Sequence, residues 1–141
     1  MIDAIIAERG RDLLGISGAA SGGDILFHEA LLRRGIPTLV LLALPPEKFA
    51  AASVDAGWEQ RYYALLEQCP WEVLQNEEDS SLWVRNNGWI LARGLEHGVD
   101  NMTLIALWNR KLGDSFGGTD DMVQQALRRG VHVVQMQSLI Q

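Results

Sequence analysis

The chain has 141 residues, 48% of them apolar, and carries a formal net charge of -6. That length supports one domain with a proper core and not two comfortable ones, and the acidic balance excludes a general nucleic-acid surface, which needs an excess of lysine and arginine to displace counterions. The lone cysteine, Cys69, excludes an intrachain disulfide framework and fits a reducing, cytoplasmic compartment of bacterial type.

At the start, MIDAIIAERG holds an apolar run that is short and interrupted by Asp3 and Glu8. It reads as neither a signal peptide nor a membrane span, and no membrane partner is expected. Ile2 to Arg9 suits a short helix stopped by Gly10, and Asp12 to Ser17 a short strand. From Asp24 to Arg34 a helical stripe of Phe27, Ala30, Leu31 and the stem of Arg34 runs to a stop at Gly35, with Pro37 beyond it. Thr38 to Leu44 is apolar at almost every position, the pattern of a strand buried on both faces.

After Pro45 and Pro46, Glu47 to Val54 reads as a loop or short helix, and Trp58 to Gln68 as a helix with Trp58, Tyr62, Leu65 and Leu66 on one side. Trp71 to Leu74 is a short strand, and Asn76 to Asp79 an exposed acidic loop with Ser80 or Ser81 capping the next helix. That helix, Leu82 to His97, contains Gly88 and Gly94, each costing roughly 1 kcal/mol of propensity. Asn101 to Trp108 is a second buried strand, Gly113 to Gly118 a glycine-rich loop, Thr119 to Arg129 a helix and Val131 to Gln135 a last strand. Strand and helix alternate without a hairpin signal. The expected fold is therefore α/β, a Rossmann-like three-layer αβα arrangement over residues 1–141 with one mostly parallel sheet.

Two loops carry the functional signal. Gly15 to Asp24 (GISGAASGGD) joins a strand to a helix with almost no side-chain bulk, so backbone N–H groups of Ser17, Gly18, Ser21, Gly22, Gly23 and Asp24 can approach an anion at the positive end of a helix dipole. Gly117, Gly118 and Thr119 open a later helix in the same way, with Thr119 as N-cap or hydroxyl donor. Asp120 and Asp121 lie in its first turn, where the dipole alone favours carboxylates, and Arg110 and Lys111 are the nearest positive charges. Such sites lie at the carboxyl ends of strands. The reading is a phosphate or nucleotide cradle.

Other chemistry is less well supported. Neither GxGxxG nor GxxxxGK[ST] occurs, and Ser17 and Ser21 lack the GxSxG context of a nucleophile. His28, His97 and His132 are widely spaced, so neither a metal site nor a resident cofactor is expected. Glu47, Lys48 and Phe49 either line a crevice or simply start a helix after a proline pair. Arg61 with Trp58 and Tyr62 could grip a base and a phosphate, against the alternative of amphipathic packing. Asn86 and Asn87, poor helix formers inside a helix, are either candidates for polar contacts or simply surface residues.

Taken together, ASGGDILFHEALLRRG, LLALPPEKFAAASVD, NNGWILARG and LIALWNRKLGDSFGGTDDMV resemble the SLOG superfamily, the Rossmann-like group that includes Lonely Guy and DprA-type proteins. They are most similar to SLOG-type modules found beside bacterial cyclase and tetratricopeptide regions. The resemblance spans Leu14 to Val134 and implies binding or sensing of a nucleotide or nucleotide-derived signal at the two loops. Lonely Guy enzymes cleave an N-glycosidic bond with a glutamate three residues after a threonine. Here that position is Met122, with Asp120 and Asp121 out of phase, so an N-glycosidase or phosphoribohydrolase using Asp120, Asp121 or Glu29 is the alternative to a binding module. A structural domain without ligand is a third reading. Related modules also carry a strand ahead of the helix matching Ile2 to Arg9, so the resemblance implies a trimmed variant, a fragment, or a strand supplied by a partner. An open sheet edge would favour a homodimer.

Overall fold

The computed structural model describes residues 2–10, 12–107 and 118–136. It divides into two compact units, Met1–Glu78 and Asp79–Gln141. All described strand pairs are parallel and the connections between them are helical, an α/β fold of Rossmann-like type. The strands fall into a three-stranded and a two-stranded sheet, where the sequence suggests one. Hydrophobic alternation reports that a segment is a strand, but no single strand's pattern encodes its neighbours.

In the first unit the elements are α1 (Ile2–Arg9), β1 (Gly15–Ser17), α2 (Gly23–Arg33), β2 (Thr38–Leu42), α3 (Pro46–Ser53), α4 (Glu59–Gln68) and β3 (Trp71–Val73). The sheet order is β1-β2-β3, with Gly15 opposite Thr38 and Val40 opposite Trp71. Right-handed crossovers that step the same way twice put their helices on one face. Accordingly α2 packs against α4. Every residue of β2 is buried, as its unbroken apolar run predicts.

α1 docks on α2 through Ile6, Ala30, Leu31 and Ile36, with Ile2, Leu13 and Phe27 packed around them. Two exposed pairs, Asp3 with Arg33 and Asp3 with Arg34, both at 3.3 Å, join the same helices and add little in water. α2 stops where expected because Gly35 takes φ +68°, a left-handed conformation that costs glycine nothing. Glu47 to Val54 resolves as the helix α3, entered through Pro46 in its first turn. The Tyr62 hydroxyl donates to the Pro46 carbonyl at 2.8 Å and its ring stacks on Phe49, locking α3 to α4.

The second unit contains α5 (Leu82–Leu95), β4 (Thr103–Leu107), α6 (Thr119–Arg128) and β5 (His132–Met136). β4 and β5 pair in register from Thr103 opposite His132 to Leu107 opposite Met136. Leu91, Ala126 and Val131 form a core with Leu95, Met102, Leu104, Met122 and Val133 around it. The two glycines of α5 are where neighbouring side chains come close: a Cβ on Gly88 would lie 3.2 Å from Gln125 Oε1, and one on Gly94 2.6 Å from Met102 Cε. Asn86 and Asn87 are not surface residues. They are 6% and 9% exposed, and Asn87 is held by partners on α6.

Candidate functional site

The loop after β1 is closed by its own side chains. Asp24, in the first turn of α2, turns back so that Oδ1 accepts from Ser17 Oγ at 2.9 Å and Oδ2 accepts from the Ala20 N–H at 3.1 Å. Gly18 makes room for this: a Cβ there would be 3.3 Å from Asp24 Oδ2 and 3.5 Å from the Leu41 carbonyl, with the Phe49 ring beneath. On the outer side, the Ser21 N–H donates to the Ser53 carbonyl at 3.0 Å and the Asp55 N–H donates to Ser21 Oγ at 2.7 Å. The loop is thereby fastened to the end of α3.

His28 fastens it from within. The ring is fully buried, with Nε2 2.8 Å from the Gly18 carbonyl and Nδ1 2.5 Å from Thr38 Oγ1. A carbonyl can only accept, so Nε2 carries a proton, and in the neutral ring the bare Nδ1 accepts from the Thr38 hydroxyl. Burial is the largest influence on this imidazole and holds its pKa below the usual 6.5, opposed by the Gly18 carbonyl, by the charge of Asp24 and by the Ser17 backbone. In the sequence His28 stands out only as a possible metal ligand. The available signal was its spacing: Ile25, His28 and Leu31 recur at three-residue steps, and all three are buried.

What remains open is the helix start itself. Gly22, the N-cap of α2 with φ +90°, offers no side-chain cap, so the first N–H groups of the helix lack intrahelical acceptors. Ser17, Gly18, Ser21, Gly22, Gly23 and Asp24 are thus brought together at the carboxyl end of β1. The Ser17 hydroxyl and the Ser21 N–H, however, serve the protein itself.

Of the second loop, Arg110, Lys111 and Gly117 lie outside the described residues, as do Gly113 and Trp108. Gly118 is the N-cap of α6 and Thr119 the first helical residue, so Thr119 is not the cap, and no side chain caps this end. Asp121 Oδ2 accepts from Asn87 Nδ2 at 2.9 Å and from Gln125 Nε2 at 2.8 Å, while Asn87 Nδ2 also reaches the Gly118 carbonyl at 3.4 Å. Asp121 therefore joins α6 to α5. One oxygen each of Asp120 and Asn86 is buried without a hydrogen-bond partner.

Glu29 lies apart from the loop, in a groove of about 330 Å³ that it lines with Leu32, Arg61, Ala64 and Gln68. Its carboxylate takes a two-pronged ion pair from Arg61, with Nε to Oε2 at 3.0 Å and the second prong to Oε1. The Arg61 guanidinium also sits 4.5 Å from the centre of the Trp58 ring. The Arg61 charge is thus matched by Glu29 and its plane is covered by Trp58, while Tyr62 is fully buried, an arrangement closer to packing than to a grip on a base and a phosphate. Lys48 donates to the Asn76 carbonyl at 2.9 Å and to Glu77 at 2.7 Å, whereas Phe49 floors the glycine loop.

Among the described residues no three His, Cys, Asp or Glu side chains are grouped to hold a metal, and no helix is long and apolar enough to cross a membrane. Comparison with protein families, with curated proteins and with solved structures found no match.

Proposed function

We propose that the chain binds a nucleotide-type small molecule at the β1–α2 loop, as a cytoplasmic sensing module of SLOG type. The observation that supports this is the uncapped N-terminus of the 11-residue α2 at the carboxyl end of a parallel strand, presented by a loop fastened through Asp24, Ser21 and His28. A preorganised donor set gives up little entropy on binding. In this reading the N–H groups of Gly22 and Gly23 take a phosphate oxygen. A carboxylate has roughly four acceptor sites, so Asp24, with Ser17 and Ala20 already bound, can still accept from a sugar hydroxyl. Gly118 and Thr119 offer a second uncapped helix start of the same kind.

The Asp24 contacts favour a second reading, in which the glycine loop is a tight turn closed by an internal carboxylate and takes no ligand. Titration calorimetry against nucleotides, cyclic nucleotides and ADP-ribose derivatives separates the two. The binding reading requires heat from at least one of them, with amide shifts at Gly22 and Gly23. Folded protein that binds none of them establishes the closed turn. For the glycosidase alternative, incubation with nucleoside monophosphates should release free base, and the loss of that activity in Asp120→Asn or Asp121→Asn would identify the acid.

A further inference from the structure

We propose that His28 is a proton-operated latch on the β1–α2 loop: the neutral ring holds the loop shut through the Gly18 carbonyl, and protonation releases it.

Full burial favours the neutral ring. In that form Nε2–H donates to Gly18 at 2.8 Å, and Nδ1, which has no proton, accepts from the Thr38 hydroxyl. A proton added at Nδ1 turns that hydrogen bond round. Thr38 Oγ1 becomes the acceptor, and its proton has to find another oxygen; the Gly15 carbonyl, 3.4 Å away, is the one in reach. That contact is long for an O–H donor. The protonated arrangement keeps the short contact in the reversed sense and sends the hydroxyl proton to a stretched one, so what opposes it is the cation placed in a fully buried site.

The groups facing the ring decide whether that cation is tolerated. Thr38 on β2, the Gly18 and Ser17 backbone, and the edge-on ring of Phe27 at 5.5 Å are all neutral. Asp24, one turn earlier on α2, is the charged group acting on the imidazole. Its oxygens are committed to Ser17 and Ala20, so a carboxylate that swung toward the imidazolium would let go of the loop itself. Either response to protonation, departure of the ring or a swing of Asp24, removes a fastening from the segment Ser17–Asp24.

The latch stands independently of any ligand. It predicts that the opening equilibrium of the loop rises as the pH falls below 6.5, the value of the free imidazole, by up to about tenfold per pH unit for a single linked proton. Amide hydrogen exchange of Gly18, Ala19 and Ala20, corrected for the intrinsic rate and measured between pH 5 and pH 8, reads this directly. In His28→Gln, which keeps an N–H donor for Gly18 and does not titrate, the same amides should show a flat profile. A flat wild-type profile, or an equal slope in both proteins, overturns the proposal. Should His28→Gln fail to fold, ¹⁵N shifts of the His28 ring in the wild-type protein decide instead. An Nε2–H tautomer at pH 7 whose titration midpoint lies below 6.5 and tracks the loop amide shifts supports the latch, whereas a ring that titrates with the loop amides unmoved refutes it.

Discussion

Asp24 Oδ1 lies 2.9 Å from Ser17 Oγ, so the first-turn acid of α2 closes the loop that precedes it. Its other oxygen holds the Ala20 N–H. Truncation to alanine removes a charged acceptor from both donors and the favourable dipole contact together.

Asp24→Ala should therefore lose about 2–3 kcal/mol of stability, and Ser17→Ala about 1 kcal/mol. Because both act on one hydrogen bond, the double variant should be less destabilised than the sum of the two. Urea denaturation of the four proteins provides the measurement. Strict additivity would mean that the pair is not coupled.

A like-charge substitution tests the clasp between α5 and α6. Asn87 Nδ2 donates to Asp121 Oδ2 at 2.9 Å, and Asn87→Asp replaces that donor with a second carboxylate. Repulsion at this distance is worth up to about 6 kcal/mol at an effective dielectric of 20. The pair can keep its contact only by sharing a proton, so its folded-state affinity for that proton exceeds that of the unfolded chain. Stability of Asn87→Asp should consequently be highest below about pH 4 and fall as the pH rises through 5 to 7. Thermal unfolding across that range is the check, with Asn87→Ala as the uncharged control.

These contacts also mark the limit of what the sequence shows. The run Thr38 to Leu44 announces a doubly buried strand because apolar residues at almost every position fit no half-exposed one, and Gly35 with Pro37 announces the end of α2. Chemistry within one element is legible in this way. Asn87 and Asp121 are 34 positions apart, and the helical pattern of α5 says which positions share a face without saying what that face meets. Ser17 and Asp24 were both visible as loop residues. Their mutual bond was not, because a carboxylate at a helix start serves an external ligand or its own loop equally well in sequence, and only the turn at Gly22 decides. The division of the strands into two sheets was hidden for the same reason.

Two glycines make a contrasting pair. A Cβ on Gly15 would lie 2.0 Å from Leu31 Cδ1 and 3.1 Å from two atoms of the Phe27 ring, and Leu31 sits in the packed cluster of Ile6, Ala30 and Ile36. Gly15→Ala should cost about 1–3 kcal/mol through overpacking. On Gly94 the Cβ meets the end of the flexible, half-buried Met102 side chain. Met102 can swing aside, and alanine gains about 1 kcal/mol of helix propensity over glycine. Gly94→Ala should stay within about 1 kcal/mol of wild type. Melting temperatures of the two variants should separate clearly, and equal ones would place the Gly15 side of α2 in looser packing than described.

Cys69 closes α4 through its N–H to the Leu65 carbonyl at 2.9 Å, and its side chain is 6% exposed. Burial pushes the thiol pKa up from its ordinary value, so little thiolate forms near neutral pH and what forms is hard to reach. Native protein at pH 8 should react with a disulfide reagent at least about tenfold more slowly than protein unfolded in urea, and the rate should climb with pH through the region above 9 rather than level there. Cys69→Ser carries a hydroxyl into the same site and should lose about 1–3 kcal/mol unless the hydroxyl finds an acceptor. Cys69→Ala, slightly smaller and with no polar atom to desolvate, should lose less. A native thiol that reacts as fast as the unfolded one would place Cys69 at the surface and contradict its burial at the end of α4.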